Sequence, residues 1–392
     1  MSAIPHPAQA QTAPSLNRAE RRWEIDGLRG WAALCVLGFH LVWETFGVVH
    51  PSFRSPWLKA CLDGPLAVLV FFVLSGDSLS MVWTRRRPET PAEPEASTAG
   101  TVVLRRYFRL AGPVLLSSLT VYALMALGAT WTQAVAPVVK RPDWYGEFLR
   151  FAPSLGGAIR FGLAGAFGIG PDGQDYNPFL WTMPVEMLGS LVVFAMGSFY
   201  GRLRRPATVL VASSVFLAVV GSYLALFVFG MLLGELRARG VFERWHRDIL
   251  ARVLCPGLIS ILGFVDAHAA QLNLTGVQAR IVLACALVTL VYGSKDLVTG
   301  LRTRLSRHLG RISFPLYYMQ FPVLVSLTAW LVVTHAHAAH DSSSAALAIV
   351  GVSVLATWAL ARGVCVLEEM YLRALQRWAS QELLRAALNR GG

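Results

Sequence analysis

The sequence predicts an all-α, polytopic membrane protein of about ten transmembrane helices around a central cavity, and three observations carry that reading. Hydrophobic residues make up 55% of the 392-residue chain and charged residues only 15%, against roughly 25% charged in a soluble domain. Apolar runs near the ~20 residues that cross a hydrocarbon core recur along the chain. Cations cluster between those runs. Only Lys59, Lys140 and Lys295 are lysines, so arginine supplies the other 32 of 35 cations, and the net charge is +12. Short arginine runs between apolar stretches fit membrane orientation and exclude a nucleic-acid surface.

Residues 1–17 are rich in Pro, Ala and Gln with no signal-peptide core, so residues 1–22 are expected to be a disordered cytoplasmic lead-in. Residues 23–366 form the membrane domain, with segments at 28–49, 65–83, 107–128, 178–200, 207–221, 222–236, 249–267, 278–294, 312–334 and 345–366. With both termini cytoplasmic, 25 of the 35 cations fall on the cytoplasmic side, counting Arg109 at the rim of the third segment. The outer connections hold six: Arg54, Lys59, Lys140, Arg141, Arg150 and Arg160. Connection 129–177 is long enough to fold over the outer mouth as short helices. Residues 367–392 space Tyr371, Leu375, Trp378, Leu383 and Leu388 as an amphipathic helix on the inner leaflet. The five cysteines make neither a disulfide framework nor a CxxC pair. Cys35, Cys255, Cys285 and Cys365 sit in apolar runs as small core residues.

Ionisable groups are costly in lipid and mark cavities, partners or substrates. The first segment holds the densest set, Asp26, Arg29, His40 and Glu44. Arg29 and His40 are eleven residues apart, so on a regular helix they point the same way, separated by ~16 Å of rise. Glu44 lies one turn beyond His40, within reach of its imidazole. Asp77, Glu186 and Gln320 are the further exceptions. Glu186 is expected at the depth of His40, where the two can share one cavity. Arg105, Arg106 and Arg109 open the third segment, where guanidinium forks suit phosphates. These features fit either an enzyme with an intramembrane active site or a proton-coupled transporter using His40 and Glu186. No paired internal repeat supports the transporter. His335, His337, His340 and Asp341 resemble a metal cluster only in composition, and no metal site is expected.

Five motifs, in order, resemble the acyltransferase-3 family of integral membrane O-acyltransferases. Asp26-Gly-Leu-Arg29-Gly, with His40 eleven residues after Arg29, is similar to its opening motif, and Phe71-Phe-Val-Leu-Ser75-Gly76 to its Phe-Phe-x-x-Ser-Gly signature. Arg105-Arg-Tyr-Phe-Arg109 resembles its basic motif, Trp181-Thr-Met-Pro-Val-Glu186 its Trp-Ser-Leu-x-x-Glu motif, and Ile312-Ser-Phe-Pro-Leu-Tyr317 its late Ile-Ser-Tyr-x-x-Tyr motif. The chain departs from the pattern at Asp77, at Gln320 and in the spacing of the basic motif. No hydrolase-like domain is expected after the membrane part.

The resemblance implies transfer of an acyl group, commonly acetyl, from acyl-CoA to a hydroxyl of a carbohydrate, glycolipid or other envelope acceptor. It implies a multi-pass protein of the bacterial inner membrane whose partners are the bilayer, acyl-CoA as co-substrate and the acceptor, with no nucleic acid and no permanently bound cofactor. His40 is then the general base or the acyl acceptor, with Glu186 or Glu44 orienting it. Arg29, Arg105, Arg106 and Arg109 hold the donor phosphates. Asp26, Ser75, Asp77, Trp181, Tyr317 and Gln320 line the cavity or bind the acceptor.

Overall fold

The computed structural model describes residues 22–84, 99–170 and 173–388. The lead-in expected at residues 1–22 lies outside that range apart from Arg22. Among the described residues the chain is helical and has no strand. The helices are α1 (Trp23–Gly38), α2 (Pro56–Leu62), α3 (Gly64–Thr84), α4 (Ala99–Ala126), α5 (Thr132–Val138), α6 (Leu155–Leu163), α7 (Met183–Tyr200), α8 (Pro206–Val219), α9 (Leu224–Ala238), α10 (Val241–Trp245), α11 (Ile249–Ala267), α12 (Val277–Gly293), α13 (Lys295–Leu301), α14 (Arg304–Val323), α15 (Ala329–Thr334), α16 (Ala336–Asp341) and α17 (Ser343–Leu388). A π-helical turn, Phe39–Glu44, continues α1, and a second, Leu324–Thr328, joins α14 to α15.

Seven helices are long and apolar enough to cross a bilayer, and they match seven of the ten expected segments. The eighth expected segment is α12, which with α13 forms a pair bent by 90°. The fifth and sixth are α8 and α9. At 1.5 Å per residue they reach only about 21 and 23 Å, short of a ~30 Å hydrocarbon core. Helix α9 packs between α3, α7, α8 and α12, so Glu235 and Arg237 near its end meet protein rather than lipid. The C-terminal tail, expected as a separate amphipathic helix, continues the last span without a break as α17. The side chains of Trp378, Leu383 and Leu388 lie outside the described residues.

Several helices start before their apolar windows. Helix α4 begins at Ala99 and α14 at Arg304, so Arg106, Arg109 and Arg311 sit on helix walls instead of in connecting loops. Hydropathy ends a segment at a charge, but a charge that faces a protein cavity does not end a helix.

Two glycine contacts set the inner geometry. A Cβ on Gly30 would collide with the backbone of Leu309 and Gly310, and one on Gly310 with the carbonyl of Asp26. Helices α1 and α14 therefore touch backbone to backbone beside Asp26 and Arg29. Gly76 of α3 and Gly230 of α9 make the equivalent approach through Phe227 and Val73.

Connection 129–177 folds as α5, α6 and short 3-10 turns, as expected. It is tied to the end of α1 by Arg141. The Arg141 guanidinium donates to the Glu44 backbone carbonyl at 2.8 Å and pairs with its carboxylate at 2.5 Å. Asp143 binds the same guanidinium at 3.1 Å. That ion pair holds the Asp143 carboxyl below the usual carboxylate range.

Candidate active site

A cavity of about 490 Å³ opens at the arginine-rich end of the bundle, enclosed by α1, α3, α4, α7, α14 and α17. That volume suits a small-molecule or cofactor-sized ligand. Asp26 and Arg29 from α1, Ser75 from α3, Arg106 and Arg109 from α4, Glu186 from α7 and Tyr317 from α14 all line it. Arg311 and Glu368 line it too, and the sequence reading treated them as topology and tail.

The four guanidiniums are not equivalent. Arg106 is committed: it pairs with Glu186, and its Nε donates to Ser190 Oγ at 2.8 Å. Ser190 in turn donates to the Glu186 carbonyl at 2.6 Å. Arg29 donates to the Leu74 carbonyl at 3.1 Å. Arg109 and Arg311 are exposed to the cavity mouth, and neither guanidinium has a hydrogen-bond partner among the described residues. They are the two cations open to an anionic ligand. Arg105 lies outside the cavity lining because successive residues on a helix point about 100° apart.

Tyr317 closes the inner wall. Its hydroxyl bonds Thr182 Oγ1 at 2.8 Å and reaches the Phe179 carbonyl. Phe179 lies in the 3-10 turn Pro178–Thr182, which Asn177 caps by accepting from Phe179 N at 3.1 Å. Asn177 also donates to the Tyr318 carbonyl at 3.1 Å, and Ser117 Oγ donates to it at 2.9 Å. The sequence explains why that carbonyl is available: residue 322 is proline, so it cannot supply the i→i−4 donor to Tyr318. The sequence reading passed over Asn177, and Pro322 is the signal that points to it.

His40 stands on the far side of this wall. It occupies the π-helical turn, a geometry common at functional sites, and both the backbone N–H and the hydroxyl of Thr45 reach its carbonyl, the hydroxyl at 2.7 Å. The partly buried imidazole stacks on Phe179 at 3.9 Å and on Trp144 at 5.9 Å between ring centroids. Its Nδ1 is buried without a hydrogen-bond partner among the described residues.

Five expectations are corrected by this geometry. His40 and Glu186 do not share the cavity: the ~16 Å rise from Arg29 carries His40 past the Tyr317–Phe179 wall. Glu44 does not reach His40, because Arg141 holds its carboxylate. Asp77 is fully buried away from the cavity, in a bidentate pair with Arg237 at 2.7 and 2.5 Å and a 2.7 Å bond from Tyr292. It lies two residues from Ser75, about 200° around α3, and so faces α9. Trp181 is 52% exposed and tilts against Tyr223, while its neighbours Thr182 and Met183 turn inward. Gln320 is buried one turn beyond Tyr317, donating to its carbonyl at 3.0 Å, also outside the lining. Among the described residues no three His, Cys, Asp or Glu side chains are grouped to hold a metal ion. His340 instead bonds Asp341 at 2.7 Å.

The fold is that of a multi-pass helical membrane protein with arginines lining an internal cavity. The chain belongs to the acyltransferase-3 family: the family model, described as an acyltransferase domain, matches residues 22–362. It is similar to the O-acetyltransferase PaAT-1 of Phomopsis amygdali, 25% identical over 364 residues covering 77% of this chain and 72% of that protein. No solved structure matches. The protein is an acyltransferase of the O-acyl type with multi-pass membrane character.

Proposed function

We propose that the protein moves an acetyl group from acetyl-CoA to a hydroxyl of a carbohydrate or other envelope acceptor. The observation that carries this reading is the pair of cations, Arg109 and Arg311, that have no hydrogen-bond partner among the described residues and stand at the mouth of a cavity whose inner wall abuts His40. The guanidiniums take the donor phosphates, and the pantetheine arm runs along α3 toward Tyr317. The excess of cations in the connections on that side supports a cytoplasmic mouth, on the side where acyl-CoA is made. The multi-pass protein then sits in a bacterial inner membrane with its long connection outside.

In the transfer, the acceptor oxygen attacks the thioester carbonyl, a C–O bond forms and the C–S bond breaks. His40 takes the hydroxyl proton and returns it to the departing CoA sulfur. The separation of His40 from the cavity favours a second, two-step reading. Tyr317 and Phe179 swing aside, an imidazole nitrogen attacks the thioester carbonyl, and CoA leaves as the thiol with the imidazole proton; the acceptor oxygen then takes the acetyl group and its proton returns to the imidazole. Rapid acid quench of a single turnover with labelled acetyl-CoA and no acceptor distinguishes them, since only the two-step route leaves label on the protein.

The test of the overall reading is acetyl-CoA consumption by membranes containing the protein, followed by mass spectrometry of envelope glycans from cells with and without it. Acetyl-CoA-dependent O-acetylation supports the reading. Substrate movement with no donor consumed would return the protein to the transporter class.

A further inference from the structure

The family-matched region ends at residue 362, yet one wall of the cavity comes from the next three turns of α17. Cys365, Glu368, Glu369 and Leu372 all line it. This stretch is held in place. The Tyr371 hydroxyl donates to the Phe108 carbonyl at 2.6 Å, and its ring fills the space where a side chain at Gly112 would stand. The same contact seats α17 against α4 one turn from Arg109.

Glu368 is the unexplained member of that wall. It is half-buried, lines the cavity and has no hydrogen-bond or ion-pair partner among the described residues. Its neighbour Glu369 pairs with Arg373 at 3.3 Å. Glu368 is close enough to Arg109 to act on it electrostatically without bonding it. The cavity also presents Ser78, whose hydroxyl oxygen is buried without a partner among the described residues. A site built for phosphate alone gains nothing from a free carboxylate beside its cations, because the two anions repel. A ligand that satisfies every group must offer anions to Arg109 and Arg311 and, next to them, O–H or N–H donors to a carboxylate. A nucleotide has that layout, with phosphates adjoining ribose hydroxyls and an amino-bearing base.

We propose that Glu368 reads the nucleoside of the donor, accepting hydrogen bonds from its hydroxyl or amino groups, and so selects acyl-CoA over donors that carry a phosphate but no nucleoside. The proposal rests on the acyl-CoA reading above and adds a residue outside the family-matched domain to the donor site.

The experiment is equilibrium binding to the purified full-length protein in detergent, with CoA and 4′-phosphopantetheine as probes. The second keeps the arm and a phosphate and lacks the nucleoside. Wild type favours CoA. Glu368→Ala weakens CoA binding about tenfold, the loss of hydrogen bonds to a charged acceptor. It leaves 4′-phosphopantetheine binding unchanged or tighter, because a negative charge has left the phosphate site. Glu147→Gln, an exposed carboxylate paired with Arg150 outside the cavity lining, changes CoA binding by less than about twofold. Equal weakening of both probes would reduce Glu368 to a structural role, and tighter CoA binding by Glu368→Ala would make it a mere counter-ion. Either result overturns the proposal. Intact CoA selectivity in a protein that transfers no acetyl group would instead sink the reaction assigned above and leave the nucleoside contact standing.

Discussion

The imidazole of His40 lies flat on the ring of Phe179, 3.9 Å between centroids and 11° between planes, while the Phe179 carbonyl receives the Tyr317 hydroxyl from the cavity side. Phe179, behind Tyr317, thus stands between the cavity that suits the donor and the imidazole that suits the chemistry. Its ring packs against one and its backbone anchors the wall of the other.

Phe179→Leu keeps most of the volume and removes the flat surface under His40. Turnover is expected to fall about tenfold or more with the acetyl-CoA KM little changed, because no cation of the cavity is touched. Steady-state kinetics in membranes check this. A raised KM at constant turnover would place Phe179 in donor binding.

Tyr317→Phe deletes a hydroxyl that bonds Thr182 at 2.8 Å in a buried site. The cost is about 1 to 3 kcal/mol, since Thr182 is left without that partner. The variant should be less stable to heat in detergent yet retain donor binding, as measured by the same CoA titration.

The sequence made the arginine end of this site legible and left the far end obscure. Asp26, Arg29, Arg106, Arg109 and Glu186 stand out because charges in apolar runs are rare, and all five line the cavity. Asp77 stands out for the same reason, but hydropathy cannot tell a carboxylate that faces a cavity from one locked to Arg237 160 positions away. Glu44 failed similarly. The expectation of an i,i+4 pair with His40 assumed an α-helix, and neither the π-helical turn nor the partner Arg141, 97 positions along the chain, can be read from local spacing. Helix ends misled where arginines lie on the cavity wall, and α8 and α9 are shorter than the seven helices that are long and apolar enough to cross a bilayer.

Asp77→Asn leaves Arg237 buried without its counter-ion and is expected to cost about 3 to 5 kcal/mol. Folded protein should fall sharply, while the fraction that survives keeps a normal acetyl-CoA KM. The double variant Asp77→Leu with Arg237→Met should recover much of the yield, because two apolar groups need no pairing. Size-exclusion yield and thermal unfolding of all three proteins decide the matter, and a raised KM in surviving D77N protein would restore Asp77 to the site.

Arg141→Ala should release connection 129–177 from the end of α1, because it removes both bonds to Glu44 together with the Asp143 pair. Turnover should drop with His40 itself intact. Arg141→Lys should rescue poorly, since an ammonium cannot reproduce the forked contacts. Protease sensitivity of the connection, compared with wild type, reads out the loosening directly.

Acid should not loosen this tie until well below neutrality. The hydrogen bond from Arg141 lowers the folded-state pKa of Asp143 below its ordinary value. The stabilisation is therefore fully present above the unfolded value of about 4 and is lost as pH falls through the lower folded value. Between pH 5 and 8 the protease resistance of connection 129–177 should stay flat. Any change in turnover across that window then comes from another group.

The most direct test of the central claim is acetyl transfer by His40→Ala in membranes supplied with labelled acetyl-CoA, alongside CoA binding by the same variant. The account predicts that label no longer reaches the acceptor while CoA still binds, because His40 lies beyond the cavity that holds the donor. Acetyl transfer at the wild-type rate would contradict it and leave His40 as a packing residue against Phe179.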